Sequence, residues 1–103
     1  MFTIEPNPTF KASLTIVGQG REQVLNVVYR HKPRSEYIAL LERVRAGDVQ
    51  VTDALLQLVE SWDADAPLDA DTITKLQDAQ PGVDWAIVSG YTEALTVARK
   101  GNL

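Results

Sequence analysis

The chain has 103 residues, which is enough for one domain with a modest core and too few for two independent cores. It contains no cysteine, so disulfides, thiolate catalysis and cysteine-based zinc sites are excluded. Its net charge of -4 argues against non-specific binding to polyanions. We expect a single domain over residues 1–103, with no secretory signal and no membrane-spanning segment.

The amino-terminal third predicts an arm followed by a β-hairpin. Residues 1–8 are expected to form a loose arm, because Pro6 and Pro8 discourage regular structure. Apolar and polar side chains then alternate in two segments, as is typical of half-buried strands. The sequence Gly18-Gln19-Gly20-Arg21 between them is a turn signal. An antiparallel hairpin over residues 9–32 follows from this pattern.

Four amphipathic helices are predicted over residues 34–101, because apolar residues recur there at three- and four-residue spacing. Ser35, Thr52 and Asp69 stand where the first three helices begin, and each side chain can accept hydrogen bonds from early backbone N–H groups. The second helix is expected to end at Trp62. The predicted fold class is therefore α+β, an N-terminal antiparallel β-hairpin followed by a bundle of about four helices.

The closing helix has the clearest signals. It is expected to begin near Val83 and to run to Arg99 and Lys100, with Gly101 as the left-handed residue that ends it. Gly90 in its middle costs about 1 kcal/mol relative to alanine. A closely crossing neighbouring helix would explain that glycine.

No residue combination specifies catalysis, a metal or a cofactor. An EF-hand loop that began at Asp63 would need glycine and glutamate where Leu68 and Thr74 stand. The acidic segment is better explained as a helix cap and a solvated linker. His31, the single histidine, has no convergent partners for a catalytic triad, which favours a surface or partner-contact role. We therefore expect no catalytic residues, no metal site and no cofactor.

Partner binding is the remaining possibility. The basic cluster of Arg30, His31, Lys32 and Arg34 is a candidate nucleic-acid contact, but the overall acidity and the lack of an aromatic stacking platform argue against nucleic acid. Trp62 and Trp85 fit two roles nearly equally, partial burial in the core or anchoring of a partner protein. Trp85 is the preferred anchor of the two, because it falls to one side of the apolar stripe of the closing helix. The candidate partner-binding residues are Trp62, Trp85, Tyr91, Arg30 and Arg34.

The order of these motifs resembles the tail assembly chaperones of long-tailed bacteriophages, including prophage copies. The resemblance covers residues 9 to 102, and the usual glycine before the tryptophan is replaced by Ser61. Its motifs are, in chain order, Val27-Val28-Tyr29-Arg30, the segment from Leu55 to Trp62-Asp63, Pro67-Leu68-Asp69, the segment from Ala86 to Leu95, and Ala98-Arg99-Lys100-Gly101-Asn102.

The resemblance implies a non-catalytic protein of the host cytoplasm that is absent from the mature virion. It implies binding to the tape measure protein, which the chaperone keeps soluble while tail tube protein assembles around it. The client would lie in a groove between the closing helix and the helix that ends at Trp62. The hairpin edge offers a surface for self-association. Two alternatives stay open: a minor structural tail protein of the virion, and a small nucleic-acid-binding phage regulator.

Overall fold

Three strands and four helices follow the arm in the computed structural model, which describes residues 1–97. The predicted α+β class, a hairpin followed by four helices, is confirmed. The elements are β1 (Thr9–Gly18), β2 (Arg21–Arg30), α1 (Arg34–Arg45), α2 (Val51–Leu58), β3 (Val59–Trp62), α3 (Ala70–Ala79) and α4 (Val83–Leu95).

The sheet has the order β1-β2-β3 and is antiparallel throughout. The hairpin register runs from Thr9 opposite Arg30 to Gly18 opposite Arg21, so all ten positions of each strand are paired. Gln19 and Gly20 form the turn between them, with φ angles of 53° and 75°. Positive φ at both central residues is the type I′ geometry, which matches the twist of the flanking strands.

The third strand corrects the prediction that a helix ends at Trp62. Helix α2 ends at Leu58, and Val59 already has extended backbone angles, φ -103° and ψ 121°. The chain then pairs with the central strand, with Trp62 opposite Val27. Valine and tryptophan are weak helix formers that suit a pleated strand, and pairing supplies hydrogen-bond partners for one edge of β2.

Only one of the three predicted helix caps forms. Asp69 Oδ1 accepts a hydrogen bond from the Thr72 N–H at 2.8 Å, as expected. Ser35 and Thr52 lie inside their helices instead, because the preceding carbonyls already accept the first helical bonds. Pro33 O accepts from the Tyr37 N–H at 3.0 Å, and Gln50 occupies the corresponding position before α2.

The closing helix ends earlier than predicted, at Leu95 rather than near Lys100. Thr96 leaves helical geometry with ψ 125°, although its hydroxyl donates to the Thr92 carbonyl oxygen at 2.7 Å. Thr96 and Val97 are both β-branched and lose side-chain freedom in a helix, which favours termination there. The predicted stop at Gly101 lies outside the described residues.

The core lies between the inner face of the sheet and the helices. Tyr29 and Tyr37 are buried and pack with Tyr91 and Phe10 at centroid distances of 4.6–5.6 Å. Gly90 does face a close neighbour, but that neighbour is strand β1 rather than a helix. Within residues 1–97, no helix combines the length and apolarity that a bilayer crossing requires. The buried residues of this core are Val27, Tyr29, Tyr37, Leu40, Ala54, Leu55, Leu58, Val59, Ile73, Ile87, Val88 and Tyr91.

Candidate protein-binding site

A groove of about 340 Å³ separates the distal half of the hairpin from α3 and the start of α4. The strands of the hairpin are ten residues long, whereas β3 pairs only with the segment from Val27 to Tyr29. The distal half of the hairpin therefore extends beyond β3, and the groove lies beside this extension. The tip is held in place by Gln19, whose Nε2 donates to the Ala79 carbonyl oxygen at 2.9 Å. The apolar residues of the groove wall are Ile16, Val24, Leu25, Trp62, Leu76 and Val83, with Ala64 and Ala66 beside them.

Trp62 lines this groove. It is the last residue of β3, lies opposite Val27 on the inner face of the sheet, and is half-buried. Its indole Nε1 donates to the Ala66 carbonyl oxygen at 2.9 Å, which fixes the loop between β3 and α3. The hydrogen bond satisfies the polar end of the indole, so the rest of the ring acts as an apolar wall.

Asp63 and Asp65 give the groove an acidic rim. Asp63 extends the pairing of β3 because its N–H donates to Asn26 O at 3.1 Å, while Asp63 Oδ1 accepts from Asn26 N–H at 2.8 Å. Asp63 Oδ2 also accepts from Asn26 Nδ2 at 2.7 Å. The side-chain bond and then the backbone bond from Asn26 lower the pKa of Asp63 below its ordinary value of 3.8. The rim carboxylate is therefore ionised at neutral pH.

A second cluster lies at the corner between β2 and α1. Tyr91 is buried, and its hydroxyl donates to Arg30 O at 2.9 Å while it accepts from the Lys32 N–H at 2.7 Å. Arg30 Nη1 donates to the carbonyl oxygens of Leu56 at 3.0 Å and Val59 at 3.2 Å. Both residues thus hold the corner to α2, α4 and β3. Their partner-binding roles stay predictions, and a buried Tyr91 can contribute only through the corner that it supports.

Trp85 and Arg34 lie apart from the groove. Trp85 is the third residue of α4 and is 37% exposed, and Arg34 is the exposed first residue of α1. Among the described residues, the groove lining includes Trp62 but neither of these two. Their roles as partner contacts also stay predictions.

One predicted wall, a helix that ends at Trp62, is absent, because Trp62 belongs to β3. The groove that Trp62 lines has as its walls the hairpin, the loop after β3, α3 and the first turn of α4. Ile16, Leu25 and Leu76 were not predicted as site residues, and the structure places them, half-buried, in the groove wall. The available signal was the alternation itself, which continues to Ile16 at the far end of β1.

Among residues 1–97, no three acidic, histidine or cysteine side chains converge in a way that holds a metal ion. A family model described as phage tail assembly chaperone matches residues 1–102. No significant match is found among curated proteins or among solved structures. The matched region contains the hairpin, β3 and all four helices, and it confirms the resemblance that the motif order indicates. The chain therefore belongs to the phage tail assembly chaperone family.

Proposed function

We propose that this chain is a non-catalytic chaperone that binds the tape measure protein and keeps it soluble in the host cytoplasm. In this proposal, the bound client is presented to tail tube protein, and the chaperone leaves before the virion matures. Family membership supports the general role in tail assembly. The observation that carries the specific proposal is the apolar groove between the hairpin and α3.

The groove suits an amphipathic helix. Long helical proteins with exposed apolar stripes aggregate unless those stripes are covered. A groove whose apolar residues are aliphatic side chains and one tryptophan can cover such a stripe, as in other complexes in which a helix lies in a groove. Trp62 is the expected anchor because tryptophan in a desolvated pocket often dominates a binding interface. Its half-buried ring already lines the groove in the free protein.

Co-expression with the tape measure protein of the same phage tests this proposal. Leu76→Asp places a charge in the groove wall, whereas Thr74→Asp places the same charge on an exposed position of the same helix. We expect the wild type and Thr74→Asp to keep the client in the soluble fraction, and Leu76→Asp to lose that effect. Circular dichroism checks that both variants remain folded. A client that is equally insoluble with and without the wild-type chain would refute the proposal.

Two single-tryptophan variants locate the contact directly. Trp85→Phe leaves Trp62 as the reporter in the groove, and Trp62→Phe leaves Trp85 as the reporter on α4. Addition of a soluble tape measure fragment should shift the emission of the Trp62 reporter to shorter wavelength, because the client excludes water from the indole. The Trp85 reporter should change less. A shift confined to the Trp85 reporter would move the client site from the groove to α4.

The competing functions give different observations. A minor structural tail protein would be found in purified particles in fixed ratio to tail tube protein. A nucleic-acid-binding regulator would give a salt-sensitive gel shift through the basic cluster. The hydrogen bonds of Arg30 argue against the regulator role. Its guanidinium already donates to the carbonyl oxygens of Leu56 and Val59, so it is less available to phosphate groups. We expect neither observation for this chain.

A further inference from the structure

The amino-terminal arm exposes large apolar side chains that nothing in its own domain covers. Phe2 is 85% exposed and Ile4 is 87% exposed, and every residue from 1 to 8 is exposed. These two residues alternate with Thr3 and Glu5, so an extended arm places both apolar side chains on one side. Exposed apolar segments of this kind mark an interaction surface.

Strand β1 offers a matching surface at its far end. It is an edge strand, because β2 is its single neighbour in the order of the described sheet. A cleft lies between its last residues and the corner that joins α3 to α4, with Ile16, Val17, Pro81, Val83 and Ala86 in its walls. Among the described residues, β2 contributes nothing to this cleft, which places the cleft on the free side of β1. An unpaired strand edge beside apolar pockets is the usual receptor for an added strand.

The arm of a given copy is too short to reach this cleft in the same copy. Its exit point is fixed because Pro8 O accepts a hydrogen bond from the His31 N–H at 2.9 Å. Thr15, where the cleft begins, lies about 23 Å along the strand from Pro8 at about 3.3 Å per residue. Fully extended, Phe2 reaches about 21 Å from Pro8 and Ile4 about 14 Å. The arm would also have to reverse its direction to approach the cleft.

We propose that the arm of one copy adds as a strand to the distal β1 edge of a second copy, with Phe2 and Ile4 in the cleft beside α4. Residues 1–5 supply the pairing segment, and Pro6 ends it because proline lacks an N–H for the ladder. The period-two pattern of the arm matches what an edge strand with adjacent pockets binds. Reciprocal exchange gives a closed dimer, and head-to-tail exchange gives a chain of copies.

The oligomeric state of the chain without client tests this inference independently of the proposed chaperone function. Light scattering over a concentration series should show concentration-dependent association of the wild type. The double variant Phe2→Ser, Ile4→Ser should remain monomeric at concentrations where the wild type associates. Val97→Ser, which removes an 89% exposed valine outside the arm and the cleft, is the matched control and should associate normally. A wild type that is monomeric throughout, or a double variant that associates like the wild type, would overturn the inference.

Disulfide trapping locates the contact, since the natural chain has no cysteine. Ile4→Cys in one preparation is mixed with Val17→Cys in another under oxidising conditions. A mixed disulfide should form faster than with Val24→Cys, an exposed valine on the neighbouring strand β2 that does not line the cleft. Equal or faster trapping by Val24→Cys would refute docking at the β1 edge. Both experiments are done without client. A negative result in either would therefore count against the exchange of arms and not against client binding at the Trp62 groove.

Discussion

Gly90 of α4 packs so closely on Leu14 of β1 that a Cβ atom at Gly90 would lie 2.9 Å from Leu14 Cδ2. The same atom would lie 3.2 Å from the hydroxyl oxygen of Tyr29, which is held by its hydrogen bond to the Ile87 carbonyl oxygen. The glycine therefore sets the distance between helix and sheet. A glycine in mid-helix is explained by this contact rather than by helix propensity, which it lowers by about 1 kcal/mol.

Gly90→Val should destabilise the fold by about 1–3 kcal/mol, because the added atoms overpack the contact between α4 and β1. Chemical denaturation measures the loss. Ser89→Val, one position earlier on an exposed part of the helix, controls for the helix propensity of valine. Leu14→Ala opens space beside Gly90, so the cost of Gly90→Val should be smaller in that background. Additive effects of the two substitutions would show that the contact does not limit the packing.

Tyr29 should make the protein sensitive to alkali. Burial, and then the neighbouring Tyr37 and Tyr91, raise the pKa of Tyr29 well above its ordinary value of 10.0. The folded state therefore holds this proton after the unfolded state has released it. The Tyr29 hydroxyl makes its full contribution to the free energy of unfolding below pH 10.0. Above that pH the contribution falls by about 1.4 kcal/mol per pH unit.

Tyr29→Phe isolates this effect. The variant loses the 2.6 Å hydrogen bond to the Ile87 carbonyl oxygen, so it should be less stable than the wild type by about 1 kcal/mol near neutral pH. It should lose less stability than the wild type between about pH 9 and about pH 11, because one titrating group is absent. Denaturant midpoints at the two pH values give the comparison. Equal losses in both proteins would contradict the prediction.

Asp63 should make the stability of the fold depend on pH in the acidic range. Its pKa is lowered by the hydrogen bonds from the Asn26 side chain and backbone, so the folded state stabilises the carboxylate. This contribution is complete above the ordinary pKa of 3.8 and is lost as the pH falls through the lower folded value. Asp63→Ala should be less stable than the wild type at neutral pH, and the difference should shrink below pH 3.8.

Asp65→Asn is the control for this measurement, because Asp65 lies on the same rim and the substitution removes the same charge. Denaturant midpoints of the three proteins, measured at neutral pH and near about pH 2.5, separate the two carboxylates. A difference between wild type and Asp63→Ala that is unchanged by acid would exclude the bonds to Asn26 as its source.

The sequence predicted the elements whose patterns are local. Alternation from Phe10 to Ile16 specified the hairpin, and the Asp69 cap specified the start of α3. Strand β3 was missed because Val59–Trp62 is too short for a periodic pattern, and it forms only where the central strand is already in place. The end of α4 was missed because the β-branched pair at Thr96 and Val97 outweighed the basic residues beyond.

The candidate site was predictable only in part. Trp62 was predicted as a partner contact from its residue type, a role that stays a prediction, and the groove-wall residues Ile16, Leu25 and Leu76 were not predicted. Whether such residues become core or groove depends on how far the helices cover the hairpin, which is a property of the packed fold. Tyr91 and Arg30 were each predicted as partner contacts, a role that stays a prediction, and the structure gives both of them bonds that hold the corner between β2 and α1.

Arg30 and Arg34, both predicted as partner contacts, should differ sharply in their effect on stability. Arg30→Ala leaves the carbonyl oxygens of Leu56 and Val59 without their charged donor, so it should cost about 1 kcal/mol. Arg34 is exposed in the first turn of α1, where positive charge opposes the helix dipole. Arg34→Ala should therefore be neutral or stabilise the fold by up to about 0.5 kcal/mol.

Denaturant midpoints of the two variants provide the test, and Arg30→Lys refines it. Lysine keeps the charge but lacks the planar guanidinium that reaches both carbonyl oxygens, so it should restore only part of the stability. Equal stability of Arg30→Ala and Arg34→Ala would mean that the bonds from Arg30 contribute nothing to the fold. Arg30 would then be as available to a partner as Arg34. The basic cluster would in that case be a candidate binding surface again.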